Sequence, residues 1–302
     1  MGYVGTQPRN EGLLARAPSG GLVISAITSV QFGSAIAATL FSQIGPGGAV
    51  FLRVACASVI LVVVWPPNLR GRRRAELIQA FVFGLVLAAM NLSFYESIHR
   101  IPLGIAVTIE FVGPLTVAVV GSRRALDLVW VALALIGILA LTRGATGSLN
   151  SLGVAFALIA GALWGAYILL NERVGRAFER GTGVSLSMCV ASVALLPIGI
   201  AAGGSQLLEP RSLALGAAVG VLSSAIPYSF EQEALRRIKP SVFGVLMSLE
   251  PAVAAIAGLI VLGQGLSGRE VLGMALVVAA SVGASRQPQK AISSRATPTG
   301  SS

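Results

Sequence analysis

Charge is what this sequence has least of: Asp, Glu, Lys and Arg make up 11 % of its 302 residues, against about 25 % in soluble domains. Histidine occurs once, at His99, aspartate once, at Asp127, and cysteine twice, at Cys56 and Cys189. This scarcity of histidine, aspartate and cysteine argues against a Ser-His-Asp triad, a paired-aspartate protease and a His-Glu-x-x-His zinc site. Both cysteines lie in apolar stretches, which is typical of small hydrophobic side chains. The sequence therefore predicts no enzyme, no metal site and no cofactor.

Long apolar runs make up most of the remainder, since 55 % of the residues are hydrophobic and the mean hydropathy is +0.82. About twenty apolar residues in a helix cross the hydrocarbon core of a bilayer, which is about 30 Å thick. The runs are continuous rather than alternating, which disfavours a membrane β-barrel. We therefore predict an all-α polytopic membrane protein with ten transmembrane helices, at residues 21–42, 47–65, 76–97, 102–121, 125–142, 151–171, 184–203, 212–232, 240–262 and 268–285.

The basic residues are distributed unevenly between the two sides of these helices. With the N-terminus in the cytoplasm, seventeen Lys and Arg residues lie on the cytoplasmic side and four on the other, while Arg53 lies within a helix. This asymmetry predicts that both termini are cytoplasmic, and it accounts for the net charge of +10 without a nucleic-acid partner. In an alternative interpretation, Ala35-Ile36-Ala37 ends a cleaved signal peptide, but the apolar run of about 22 residues is long for one.

A repeated segment divides the chain into two halves. Ser93–Pro102 (SFYESIHRIP) and Ser229–Pro240 (SFEQEALRRIKP) both end a predicted helix with Ser-Phe, an acid, basic residues, Ile and Pro. Five helices per half is an odd number, so the second half enters the membrane from the opposite side, an architecture in which transporters bind substrate between the repeats. We predict repeats at residues 21–145 and 148–285, between disordered polar tails at residues 1–20 and 286–302.

Each half carries one glutamate deep in an apolar helix. Glu110 and Glu250 lie eight and ten residues into their helices, or about 12 and 15 Å, close to mid-membrane. A charge at that depth costs about 2.5–3.5 kcal/mol. Pro114 leaves the carbonyl of Glu110 without its helical N–H donor, and Pro251 does the same to Met247. We predict that both glutamates bind substrate or protons; the alternative is a protonated glutamate that only joins two helices.

Other polar side chains occupy positions from which they would line a cavity between the helices. Each is also compatible with hydrogen bonding between helices or with anchoring at the membrane interface. Arg53, about 9 Å inside its helix, is either a charge partner for a carboxylate or a side chain that extends towards the surface. The other candidates for binding substrate or protons are Gln31, Asn91, Tyr95, Trp164, Tyr167, Tyr228 and Glu231.

Several segments together carry a family likeness. They are PLGIAVTIEFVGPL (102–115), GSRRALDLVWV (121–131), ALWGAYILL (162–170), PYSFE (227–231) and VLMSLEPAVAA (245–255). The chain resembles the drug/metabolite transporter superfamily with two EamA repeats, and within it the threonine and homoserine exporters of bacterial inner membranes. The resemblance implies ten helices around a central cavity, and export of small metabolites by alternating access. One departure is Gly263-Gln264, where the family usually has Gly-Glu.

The predicted function is therefore export of small hydrophilic amino acids of the threonine and homoserine type across the bacterial inner membrane. The alternative is a transporter of another small metabolite or drug-like compound. The expected partners are an amino acid substrate and the lipid bilayer, not nucleic acid, and the oligomeric state is left open. The sequence has no Gly-x-x-x-x-Gly-Lys-[Ser/Thr] loop for ATP, so proton exchange through Glu110 and Glu250 is the expected energy source.

Overall fold

The computed structural model describes residues 18–67, 69, 71–120, 125–142, 149–178, 181–235, 237–238 and 240–285, and these residues form helices without any strand. In the first half the helices are α1 (Ser19–Ala38), α2 (Phe41–Val64), α3 (Arg74–Ile98), α4 (Leu103–Glu110), α5 (Val112–Val120) and α6 (Ala125–Thr142). In the second half they are α7 (Ser151–Ala177), α8 (Thr182–Gly203), α9 (Pro210–Gly220), α10 (Ile226–Leu235), α11 (Pro240–Met247), α12 (Glu250–Leu262) and α13 (Gly268–Ser285). A 3-10 turn covers Gly204–Leu208 and a π turn covers Val221–Ala225. Most of the two predicted tails, and residues 121–124 and 143–148, lie outside the described residues.

Six segments of the described chain are long and apolar enough to cross a membrane. They are Ser19–Ala38, Phe41–Val64, Arg74–Ile98, Ser151–Ala177, Thr182–Leu208 and Val242–Leu262. Their outward-facing side chains are apolar, as a lipid environment requires: Val63 is 77 % exposed, Val193 70 % and Ile260 66 %. The all-helical, multi-pass membrane class is thus confirmed.

The boundary between the first two helices differs from the prediction. The first helix was predicted to reach residue 42 and the second to start at residue 47, whereas α1 ends at Ala38 and α2 begins at Phe41. The helix is interrupted inside α2, where Gly45 has a φ of 66°, and this kink lies directly before the predicted start at residue 47. Glycine adopts this left-handed conformation without steric cost, and Pro46 after it has no N–H to place in the helix.

The two halves interleave rather than packing as separate bundles. The helix α2 packs on α8, α3 packs on α7 and α8, α1 packs on α10 and α12, and α6 packs on α13. Small residues allow the close approaches: a Cβ atom on Gly84 of α3 would lie 2.6 Å from the carbonyl oxygen of Ser187 in α8. Such contacts replace the hydrophobic effect as the main attraction between helices in lipid. The interleaving surrounds one region with helices from both halves.

Candidate functional site

A cavity of about 550 Å³ lies between helices of the two halves, a size that suits a small molecule. Every described helix except α6 and α9 contributes to its wall, as does the π turn. The wall contains the polar or charged side chains of Gln31, Arg53, Asn91, Glu110, Trp164, Tyr167, Asn171, Ser223, Ser224, Glu231, Glu250 and Ser281. Eight of the ten candidates from the sequence are among them, so the structure brings most of that set together around one space.

Glu110 lies where its helix breaks. It is the last residue of α4, Phe111 forms a turn, and α5 begins at Val112. The break follows from Pro114, which has no N–H to donate to the carbonyl of Glu110. That carbonyl is covered by Gly161 of α7, since a Cβ atom on Gly161 would lie 2.7 Å from the oxygen. The Gly161-x-x-x-Gly165 motif therefore positions α7 against the break that carries the carboxylate.

Glu250 lies at a second break. The helix α11 ends at Met247 and α12 begins at Glu250, so the carboxylate is in the first turn of a new helix. Pro251 is accepted at this position, because N–H groups in the first turn of a helix have no carbonyl partner within the helix and proline therefore loses no hydrogen bond. Gln31 of α1 donates from Nε2 to Oε1 of Glu250 over 2.9 Å. This bond joins the halves, and it leaves Oε1 of Gln31 and Oε2 of Glu250 buried without a partner.

Three carboxyl groups and one guanidinium line the cavity: Glu110, Glu231, Glu250 and Arg53. Glu110 interacts electrostatically with both Glu250 and Arg53, and Glu250 interacts with Glu231. Among the described residues none of the four belongs to an ion pair within 4.0 Å. Charges withdrawn from water need partners, so the cavity is suited to a ligand that brings a cation, an anion or protons.

Arg53 lines the cavity while Tyr95 lies behind it. Tyr95 is fully buried, and Cζ of Arg53 lies 5.6 Å from the centroid of its ring, which is within the range of a cation–π interaction. The ring of Phe41 lies 5.7 Å from that of Tyr95. The structure thus places Tyr95 where it supports the guanidinium, rather than on the wall where the sequence analysis expected it.

The remaining candidates differ in how they are held. Trp164 lies on the wall. The centroid of its ring lies 5.1 Å from that of Phe111, the residue after Glu110, and the two rings are nearly perpendicular. Tyr167 packs on Phe83 at 5.3 Å. Asn91 donates from Nδ2 to the carbonyl of Leu87 in its own helix over 2.8 Å. The side chain of Tyr228 lies outside the described part of the structure.

The π turn supplies two lining residues that sequence reasoning missed. The N–H of Ile226 bonds to the carbonyl of Val221, five residues earlier, and this wider turn places Ser223 and Ser224 together on the cavity wall. The hydroxyl of Ser223 is buried and has no partner. Pro227 was the available signal, because a proline four residues after Ser223 removes a helical donor in the same way as Pro114.

Beyond the glutamates, α4 and α12 are held together at their other ends. The N–H of Leu103, which begins α4, donates to Oε1 of Gln264 over 3.0 Å. A Cβ atom on Gly104 would lie 2.9 Å from Cα of Ala255 in α12, so the backbones almost touch. Gly263, with a φ of 66°, ends α12 and turns the chain so that Gln264 reaches across. The two half-helices that carry Glu110 and Glu250 are therefore joined away from the cavity.

Comparison with known proteins gives a consistent result. Residues 151–286 match the EamA-like transporter family. The chain is 42 % identical over 275 residues to the threonine/homoserine exporter RhtA of Salmonella typhimurium strain LT2, covering 89 % of this chain and 92 % of the relative. It is 40 % identical over 272 residues to the protein of the same name from Escherichia coli K12, with the same coverage.

Two more distant matches extend the comparison. The uncharacterized transporter YwfM of Bacillus subtilis is 25 % identical over 138 residues, which is 46 % of this chain and 47 % of the relative. A crystal structure of a protein with 18 % sequence identity superposes with a TM-score of 0.55, covering 86 % of this chain and 95 % of that one. The latter match shows a shared fold.

Proposed function

We propose, from the premise that this chain belongs to the EamA-like transporter family, that it exports small hydroxy amino acids of the threonine and homoserine type. Its relatives are transporters and not enzymes. The observation that carries the proposal is the cavity between the halves, with the buried carboxylates of Glu110 and Glu250 at two helix breaks. Broken helices that meet at a repeat interface are where secondary transporters bind substrate.

The proposal includes ten membrane crossings in two inverted five-helix repeats. Each broken or kinked segment then counts as one crossing: α4 with α5, α9 with α10, and α11 with α12. The packing supports this symmetry, because α3 packs on α7 as α10 packs on α1, and α3 packs on α8 as α9 packs on α2. In the same way α4 and α5 pack on α7, while α11 and α12 pack on α1. A two-fold relation between the halves accounts for all three pairs.

We also propose that both termini face the cytoplasm of a bacterial inner membrane, for which the seventeen-to-four distribution of basic residues is the support. A single cysteine at Arg72, introduced into a Cys56→Ser, Cys189→Ser background, tests this orientation. We expect a membrane-impermeant thiol reagent to label it in inside-out vesicles and not in intact cells. Labelling from outside intact cells would reverse the orientation.

With this orientation the cavity faces the cytoplasm. Lining residues such as Asn171, Glu231 and Phe243 belong to the cytoplasmic ends of their helices, whereas the bond from Leu103 to Gln264 belongs to the periplasmic end. Release of substrate then requires α4 and α12 to separate at that end. Glu110 and Glu250 lie on the same two half-helices, so the separation of α4 and α12 changes the surroundings of both carboxylates. Opening of the periplasmic end is thereby coupled to the binding of substrate and protons.

A second candidate is export of another metabolite or drug-like compound with an aromatic group. It is favoured by the aromatic part of the wall, formed by Phe94, Phe111, Trp164 and Tyr167. Competition with threonine transport distinguishes the two candidates. If an aromatic compound inhibits threonine transport at a lower concentration than homoserine does, the second candidate is favoured.

The test of the main proposal is transport into inside-out vesicles from cells that contain the protein. We expect labelled threonine to accumulate when the lumen is acidic, and accumulation to fall when a protonophore is added. The double variant Glu110→Gln, Glu250→Gln should not accumulate threonine. Flux that is equal for wild type and double variant would refute the site, and flux that ignores the pH gradient would refute proton coupling alone.

A further inference from the structure

Among the described residues, Arg53 is the only cation on the cavity wall, which it shares with three carboxyl groups. We propose that its guanidinium binds the carboxylate of the substrate while the Gln31–Glu250 pair binds the substrate's ammonium group. The site would thereby select zwitterionic α-amino acids over amines, amides and esters of the same shape. This inference rests on the proposed function and assigns the two ends of the substrate to named residues.

The position of the Arg53 guanidinium is suited to binding a carboxylate of the substrate. It lies on the cavity wall and does not pair with a described carboxylate within 4.0 Å. It lies over the buried ring of Tyr95, and that ring in turn contacts the rings of Phe41 and Phe94. A planar, constantly charged guanidinium presents paired N–H donors that match a carboxylate. A cation fixed in this way, without an ion pair to any carboxylate of the described residues, fits an anionic group of the ligand.

The Gln31–Glu250 pair, also on the cavity wall, has only acceptor atoms left to offer. The Nε2 group of Gln31 is committed to Glu250, so the pair presents the amide oxygen of Gln31 and the second carboxylate oxygen of Glu250. Both atoms are buried and lack a partner. An ammonium group brings three donors and a positive charge, which suits unpartnered acceptor oxygens of which one belongs to a carboxylate. Donors on Arg53 and acceptors on the Gln31–Glu250 pair together complement the two charged groups of an α-amino acid.

The competing explanation is that Arg53 serves the protein alone, as the electrostatic partner of Glu110. In that case its loss would impair transport of every substrate to the same extent. The two explanations differ in one readout, which is the discrimination between a substrate that has the carboxylate and an isosteric compound that lacks it. L-threonine and L-threoninamide form such a pair, since both carry the ammonium and hydroxyl groups.

The experiment measures how well each compound competes with labelled threonine for uptake into inside-out vesicles, using wild type, Arg53→Gln, Arg53→Lys and the surface control Arg176→Gln. Arg176 is exposed and pairs with Glu172 of the same helix. In wild type and the control we expect threonine to compete about 10- to 100-fold better than threoninamide, as expected for a charged hydrogen-bonded pair. In Arg53→Gln the ratio should fall to about 1–3, because the remaining contacts do not distinguish the two compounds.

Two results would overturn the inference while leaving the proposed function intact: full discrimination in Arg53→Gln, or no discrimination in wild type that transports threonine. Absence of threonine transport by wild type would instead refute the proposed function. Arg53→Lys keeps the charge and loses the paired donors, so an intermediate ratio supports the inference. If Arg53→Gln does not insert, an unchanged ratio in Arg53→Lys counts against it.

Discussion

Glu110 ends the half-helix that carries it, whereas Glu250 begins its own. The difference follows from the position of one proline in each half, since Pro114 comes four residues after the first glutamate and Pro251 directly follows the second. A proline removes the hydrogen bond to the carbonyl four residues before it, which weakens the preceding turn of the helix. In the first turn of a new helix a proline is tolerated. The two halves thus each place a carboxylate at a helix break, with the break on opposite sides of it.

This difference gives the two carboxylates different surroundings. Glu250 lies in the first turn of α12, where the helix dipole favours a negative charge, and it accepts a hydrogen bond from Gln31. Glu110 lies at the C-terminal end of α4, and its break is covered by the backbone of Gly161 rather than by a side-chain donor. We infer that Glu250 is the anchored member of the pair and Glu110 the more adaptable one.

The largest expected effect is therefore that of Glu250→Gln. Replacement removes the negative charge opposite the substrate's ammonium, and a charged hydrogen bond of this kind contributes about 1.5–3 kcal/mol. We expect kcat/KM for threonine export to fall by about 10- to 150-fold. The yield of inserted protein should not fall, because removing a charge lowers the insertion cost.

Glu110→Gln sharpens the comparison between the two acids. We expect a loss of export of about 10-fold, smaller than for Glu250→Gln because fewer fixed contacts are broken at Glu110. Vesicle transport assays of both variants, with exposed Glu172→Gln as the control, give the ranking. A larger defect in Glu110→Gln than in Glu250→Gln would reverse our assignment of the anchored carboxylate.

Gly161→Ala tests whether the first break depends on a close helix contact. The added methyl group would lie 2.7 Å from the carbonyl oxygen of Glu110, whereas the same change at Gly165 meets its nearest atom, on Val117, at 3.4 Å. We expect Gly161→Ala to lose about 1–3 kcal/mol of stability, as overpacked sites do, and Gly165→Ala to lose much less. Thermal unfolding in detergent compares the two, and equal melting temperatures would show that the contact is unimportant.

The smallest expected effect is that of Gln264→Ala. Gln264 joins the two half-helices and is not among the residues that line the cavity. Removing its bond to the N–H of Leu103 should cost about 0.5–2 kcal/mol, the range for a lost helix cap. If that bond closes the periplasmic side, a cysteine at Ala255 becomes more accessible from the periplasm in the variant, on a Cys56→Ser, Cys189→Ser background. Unchanged labelling at Ala255 would mean that Gln264 contributes stability and no gating.

Much of this architecture follows from local features of the sequence. The helix breaks at Glu110 and Glu250 follow from Pro114 and Pro251, because proline chemistry is local, whereas the mid-membrane depth of the two glutamates stays a prediction. The membrane class and the transporter family are confirmed. The functional roles of the candidate residues stay predictions.

Other features depend on contacts between distant segments and could not be read from periodicity. The bond from Gln264 to Leu103 spans 161 residues, and the support of Arg53 by Tyr95 joins two helices. The wider π turn at Ser223 looks like an ordinary apolar helix with two serines, and only Pro227 marks it. The short helical segment before the kink at Gly45 carries Phe41, which packs against Tyr95 and His99, a contact that a hydropathy pattern does not reveal.

Binding of labelled threonine to the purified protein in detergent tests the central claim most directly, namely that Glu110 and Glu250 enclose the substrate site. Our account predicts saturable binding to about one site per chain, competed by homoserine, lost in Glu250→Gln and retained in Glu172→Gln. Saturable binding of unchanged affinity in Glu250→Gln would contradict it, because the substrate would then lie elsewhere.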